Sequence, residues 1–158
     1  MVNSSTTGRL ATTRTPVQVT TLVFAVVFLL VGIAGFIPGV TTNYGDMSFA
    51  GHHPPSAMLF GVFAVSVLHN IVHLLFGIAG LALARSFNAA RSYLIGGGVI
   101  YAVLWLYGLF VDVDSAANFV PLNTADNWLH LVLAVAMIGL GVVFGRRSAT
   151  AGPTGERT

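Results

Sequence analysis

Four apolar runs decide what this chain can become, because each reaches the roughly 20 residues a helix needs to cross a bilayer core of about 30 Å. They extend from Val17 to Ile37, Ser56 to Ala84, Ser92 to Val111 and Asp126 to Gly145. A soluble domain of this length would need a charged surface, yet only 8% of the residues are charged and 55% are hydrophobic. The expected fold class is all-α: an integral membrane four-helix bundle over residues 17–147, with helices at about 17–37, 56–84, 92–111 and 126–145. Residues 1–16 and 148–158 read as disordered cytoplasmic tails, rich in Ser, Thr, Gly and Pro. A charged stretch ahead of an apolar run also suits a secretory signal, but such an apolar region spans roughly 7–15 residues. The first run is longer and reads as an uncleaved helix.

Orientation follows from the arginines. Every basic residue is one (Arg9, Arg14, Arg85, Arg91, Arg146, Arg147 and Arg157), and all fall in the two tails or the 85–91 connector. The connectors 38–55 and 112–125 carry acids but no Lys or Arg. The positive-inside rule then places both termini and one short loop in the cytoplasm, with two extracytoplasmic loops. The protein is expected in the plasma membrane, its first partner the lipid bilayer. Phe49, Phe119 and Trp128 lie near the outer boundary, where aromatic anchors are expected. A net charge of +2 spread over helix ends makes no basic patch, so nucleic acid is not an expected partner. With no cysteine, thiolate chemistry, disulfides and iron–sulfur clusters are excluded, and a metal site would have to use imidazole and oxygen. Gly32, Gly35, Gly77, Gly80, Gly96 to Gly98, Gly141 and Gly145 suit close helix packing; the last two, as a Gly-x-x-x-Gly pair, also suit contact with a second copy or a partner membrane protein.

The chemistry concentrates in the second run. Ser66, His69, Asn70 and His73 fall at i, i+3, i+4 and i+7, one face of a helix. Ionisable and polar groups are costly in hydrocarbon, so their presence marks a candidate functional site. His69 lies sixteen residues before Arg85, His130 sixteen before Arg146 and Tyr107 sixteen after Arg91. At about 1.5 Å per residue, all three are expected some 24 Å from the cytoplasmic edge. Asp126 and Asn127 lie just above them. Asp126, four residues before His130, either orients that imidazole or interacts with the positive helix N-terminus, where Thr124 is a plausible cap.

Three readings suit His69, His73 and His130. They form a hydrogen-bond network between helices, a metal or haem site, or a cavity open to the outside that handles protons or small molecules. A His-x-x-x-His pair alone is a weak metal signal, because Asn70 stands where a zinc protease carries Glu. His52-His53 reads as a solvated loop pair, and no phosphate loop, nucleophile elbow or catalytic residue is legible.

The segments Gly-Phe-Ile-Pro-Gly-Val-Thr-Thr-Asn-Tyr (35–44), Val-Leu-His-Asn-Ile-Val-His-Leu-Leu-Phe-Gly-Ile-Ala-Gly (67–80) and Ala-Asp-Asn-Trp-Leu-His-Leu (125–131) resemble the bacterial domain-of-unknown-function family 4383. The resemblance covers roughly residues 17–147. It implies a small four-helix membrane protein of the kind found chiefly in actinobacteria, and it supplies no activity and no site residues. The leading expectation is a non-enzymatic structural or interaction module with a buried histidine and asparagine network in the outer half of the bundle. The alternatives are a metal- or haem-binding membrane protein and a small transporter or proton relay.

Overall fold

The chain folds around two helix hairpins. A computed structural model describes residues 13–51, 56–112, 114–115 and 117–149, with the side chains of 147–149 left aside. The tails over 1–12 and 150–158, and the stretch His52 to Pro55, lie outside the described residues. The helices are α1 (Pro16–Ala34), α2 (Val67–Leu83), α3 (Phe87–Phe110) and α4 (Thr124–Ala149). Three short strands precede α2: β1 (Thr41–Thr42), β2 (Met58–Leu59) and β3 (Phe63–Ala64). Helix α1 packs chiefly along α2 and α3 along α4, and the two hairpins meet over smaller areas.

Helix α1 begins where the sequence offers a capping pair. The Gln18 side chain accepts from the Thr15 backbone N–H at 3.0 Å, and Pro16 needs no N–H partner in the first turn. Its buried stripe, Val17, Thr21, Ala25, Phe28 and Gly32, recurs every three or four residues. Polar side chains of α1 reach other elements of the bundle. Thr21 Oγ1 donates to the Ala90 carbonyl at 3.2 Å, and Gln18 Nε2 donates to the Ala84 carbonyl at 3.1 Å. Tyr93 Oη in turn donates to the Phe76 carbonyl at 3.0 Å, tying α3 to α2.

Close approach is what glycine contributes. A Cβ on Gly77 would lie 2.8 Å from the Ala25 carbonyl oxygen, and one on Gly98 would lie 3.1 Å from the Ala134 carbonyl oxygen. Each hairpin is thus zipped where a helix backbone has no side chain to hold its neighbour off.

Two expected boundaries move by five residues or more. The second run does not form one helix over 56–84, because its first third folds as a β-hairpin. Met58 pairs with Ala64 and Leu59 with Phe63, and β1 adds on the other side of β2 to give an antiparallel sheet in the order β1-β2-β3. The hairpin loop holds Phe60 and Gly61 at positive φ, 53° and 70°, which a helix does not allow. Valines and phenylalanines suit paired strands, and an unbroken apolar run does not by itself distinguish strand from helix. Helix α2 starts only after Ser66, whose Oγ accepts from the His69 backbone N–H at 3.2 Å. Ser66 therefore caps the helix and is not a rung of its polar face. The third helix starts at Phe87 instead of 92, capped by Ser86, so most of the 85–91 connector is helical.

Helices α1, α3 and α4 are long and apolar enough to cross a membrane, with mean hydropathies of 2.5, 1.7 and 2.2 over an 18-residue stretch of each. Helix α2, at 17 residues, reaches about 25 Å at 1.5 Å per residue. The sheet continues from its N-terminal end. Ala57, Ala64, Val65 and Ser66 are buried there, while Phe60, Gly61 and Val62 of the hairpin loop are exposed.

Candidate functional site

The first two turns of α2 carry the polar residues singled out by spacing. Asn70 is wholly buried, and its carboxamide lies so close to Gly35 of the chain following α1 that a Cβ there would overlap it. Asn70 Oδ1 stands 3.3 Å from His69 Nδ1, Asn70 Nδ2 points to Met47 Sδ at 3.9 Å, and His73 Nδ1 donates to the His69 carbonyl at 3.0 Å. Apart from the weak contact to Met47, these bonds stay within α2. The ties between helices come from Thr21, Gln18 and Tyr93 instead, residues that the sequence reading did not single out.

The three histidines do come together. The His69 and His73 rings lie 4.2 Å apart, and all three imidazoles line the same two cavities. An aromatic layer surrounds them: Phe28 stands edge-on to His73 at 5.7 Å and stacks on Tyr101 at 5.7 Å, and Tyr101 meets His130 at 5.3 Å. Among the described residues, no group of three or more His, Asp or Glu side chains is arranged to hold a metal ion.

Tyr107, expected level with the histidines, takes another direction. Its hydroxyl donates to the Ala117 carbonyl and its ring packs on Phe119 at 5.8 Å. Tyr101 occupies the inward position, on the same face of α3 as Leu94, Gly97 and Gly98. That face could be read from the three- and four-residue spacing of its small and aromatic residues.

Asp126 does not hold His130. The cap of α4 is Asn123, not Thr124: Asn123 Oδ1 accepts from the Asp126 N–H at 3.0 Å and Asp126 Oδ2 accepts from the Asn123 N–H at 3.0 Å. The same Oδ2 accepts from the Ala64 N–H on β3 at 3.0 Å, which binds the sheet to α4. Asn127 turns to α3, its carboxamide packed where a Cβ on Gly108 would stand. His130 Nδ1 is buried and has no hydrogen-bond partner, and the residue is only 5% exposed.

The larger cavity, about 280 Å³, lies between the two hairpins. Its inner wall is the histidine and aromatic layer, and its roof is Phe119, Val120 and Pro121. Its lining is almost entirely carbon. Val72 and Ile100, also on its wall, are 43% and 47% exposed, so the cavity reaches the outer surface between α2 and α3. A second cavity of about 80 Å³ lies against the same three histidines and is bordered by Asp126. The three histidines thus border both an apolar chamber and a smaller one beside Asp126.

A family model described as "Domain of unknown function (DUF4383)" matches residues 18–143. The chain belongs to this family. In this DUF4383 chain the matched span contains every residue of both cavities. No curated protein and no solved structure matches it.

Proposed function

We propose that this DUF4383 protein is a multi-pass plasma-membrane protein, both termini cytoplasmic, that binds an apolar molecule drawn laterally from the bilayer. The observation that carries the reading is the 280 Å³ carbon-lined cavity with a wall half-exposed at Val72 and Ile100. Binding sites for small apolar molecules are concave and mostly apolar, as this one is, with the rings of the three histidines among its lining residues. Hydrogen bonds that stay within α2 favour this over histidines acting as glue between helices. The role proposed is binding.

Ile100→Trp tests the cavity from its exposed wall, where a larger ring fills space without entering the buried core. Uptake of 2-methylnaphthalene by purified protein in nanodiscs is expected to fall at least about tenfold, with the melting temperature little changed. Uptake equal to that of the unsubstituted protein would remove this cavity from the function.

Orientation is tested separately, and the absence of cysteine makes that simple. A single cysteine at Gly45, where nothing lies within 4 Å of an added Cβ, is expected to react with an impermeant maleimide on intact cells. One at Asn88, exposed in the first turn of α3, is expected to react only after lysis. The opposite pattern would invert the topology.

A further inference from the structure

Resting on the cavity reading above, we infer that the chain is two copies of one helix-hairpin unit, and that the smaller cavity is a second copy of the binding site, narrowed to an apolar guest smaller than one ring. The sequence carries a trace of the repeat. Asn70-Ile-Val-His73-Leu74 on α2 and Asn127-Trp-Leu-His130-Leu131 on α4 share Asn-x-x-His-Leu, 57 residues apart. Three shared residues prove little alone, but the contacts around them repeat as well. Ser66 Oγ accepts from the His69 N–H, and Asn123 Oδ1 accepts from the Asp126 N–H, each capping its helix. Asn70 packs its carboxamide on Gly35, and Asn127 packs its own on Gly108. His73 meets the Phe28 ring at 5.7 Å, and His130 meets the Tyr101 ring at 5.3 Å. Close backbone approach falls at Gly77 with Ala25 and at Ala134 with Gly98. Every one of these α2 and α4 residues is matched by the same offset of 57, and Ala25, Phe28 and Gly35 reach Gly98, Tyr101 and Gly108 by a single offset of 73. Phe28 and Tyr101, equivalent to each other, stack at 5.7 Å, so the pseudo-twofold axis passes between them.

The two cavities exchange under this relation. Val72 and Phe76 of α2 line the larger one, and their counterparts Leu129 and Leu133 of α4 line the smaller. Leu104 of α3 lines the larger, and its counterpart Val31 of α1 lines the smaller. His73 and His130, near the axis, line both. Folds built from repeats commonly bind at the repeat interface, which is where both cavities lie. The connectors differ, and with them the volumes. Three residues ahead of each helix cap, Val120 borders the larger cavity and Phe63 the smaller, so a ring takes up space that a valine leaves open. Phe60, on the same β-hairpin, narrows the smaller cavity further. Most of its lining is still carbon. An apolar cavity of about 150 Å³ accommodates benzene, so 80 Å³ takes a guest smaller than a ring.

Xenon, which enters apolar cavities, probes both sites in the full chain in nanodiscs, with empty nanodiscs subtracted. Xenon NMR is expected to show two protein-bound environments. One should be lost in Ile100→Trp and the other in Leu129→Trp, at a wall position of the smaller cavity that is 38% exposed. The equivalence of the sites is tested by giving the smaller cavity its counterpart's residue. Phe63→Val, which a strand tolerates, is expected to raise the 2-methylnaphthalene uptake of the Ile100→Trp variant at least about tenfold. Should Phe63→Val fail to fold, the xenon environments still decide. A single environment, lost in Ile100→Trp, would overturn the inference and leave the cavity reading intact. Absence of recovery in a folded Phe63→Val protein would also overturn it, since the two cavities would then not be copies of one site. No bound xenon and no uptake of 2-methylnaphthalene by the unsubstituted chain would remove both the inference and the reading beneath it.

Discussion

Replacing Gly77 with leucine is expected to abolish the close packing of α1 on α2 and to cost this protein at least about 3 kcal/mol in detergent, at the upper end of overpacking effects. The reason lies in what the new side chain meets. Its Cβ would stand 2.8 Å from the Ala25 carbonyl oxygen and within 2.8 Å of two carbons of Leu29. A flexible side chain can turn aside, but a helix carbonyl held in its own hydrogen bond cannot. Helix α1 must therefore withdraw along its length, and in lipid no hydrophobic force between helices offsets the lost contact. Gly96→Leu is the control, because nothing lies within 4 Å of an added Cβ there. It exchanges a poor helix former for a good one on an open face and is expected to be neutral or slightly stabilising. Denaturation of the two variants in mixed micelles, followed by circular dichroism, checks the contrast; equal midpoints would refute the packing account.

The contrast between those two glycines shows how far a membrane sequence can be read. Hydropathy locates spans because lipid rejects charge, and three helices of membrane-crossing length and composition stand where apolar runs announced them. Hydropathy is much poorer at saying which face of a span turns inward, since lipid and core are both apolar. Val23 and Phe28 look alike in a hydropathy profile, yet Val23 faces outward and Phe28 is buried. Polar and small residues break the tie. Asn70, flanked by histidines, correctly marked an inward face, and Thr21 and Tyr93 carry the same information.

Depth counting brought His69 and His130 to one level, and both line the same cavities. It placed Tyr107 there too, but depth does not fix direction. Tyr107 lies six residues beyond Tyr101, about 240° further round a helix at 100° per residue, and it serves the loop. The hairpin over 58–64 was least legible. An apolar run hides its own pairing, and the cues were Gly61 within it and Ser66 at its end, the first breaking the helix and the second starting it. The Asn123 and Asp126 spacing was a readable capping signature. Its third bond, to Ala64, was not, because it depends on a strand that the sequence did not disclose.

That third bond makes Asp126→Ala the other substitution of large effect. Alanine would leave the Ala64 and Asn123 N–H groups without their acceptor, at a cost of about 1–3 kcal/mol for each donor left unpaired away from water. The sum, roughly 2–6 kcal/mol, falls on one small region: the free edge of β3, the first turn of α4 and the wall that carries His130. Asp126→Asn retains one carbonyl oxygen and is expected to lose about half as much. Asp112→Ala, at an exposed acid whose Oδ1 accepts from the nearby Asp114 N–H, is expected to lose little. Hydrogen exchange gives the sharpest readout, because the Ala64 amide has a side-chain acceptor and no strand beyond β3. Its protection should collapse in Asp126→Ala while the amides in the middle of α3 keep theirs. Uptake of 2-methylnaphthalene should weaken with it, since α4, which forms part of the cavity wall, loses its fastening to the sheet. If the Ala64 amide stays protected, the carboxylate is not what joins sheet to helix, and a direct role for Asp126 in the smaller cavity becomes the better account.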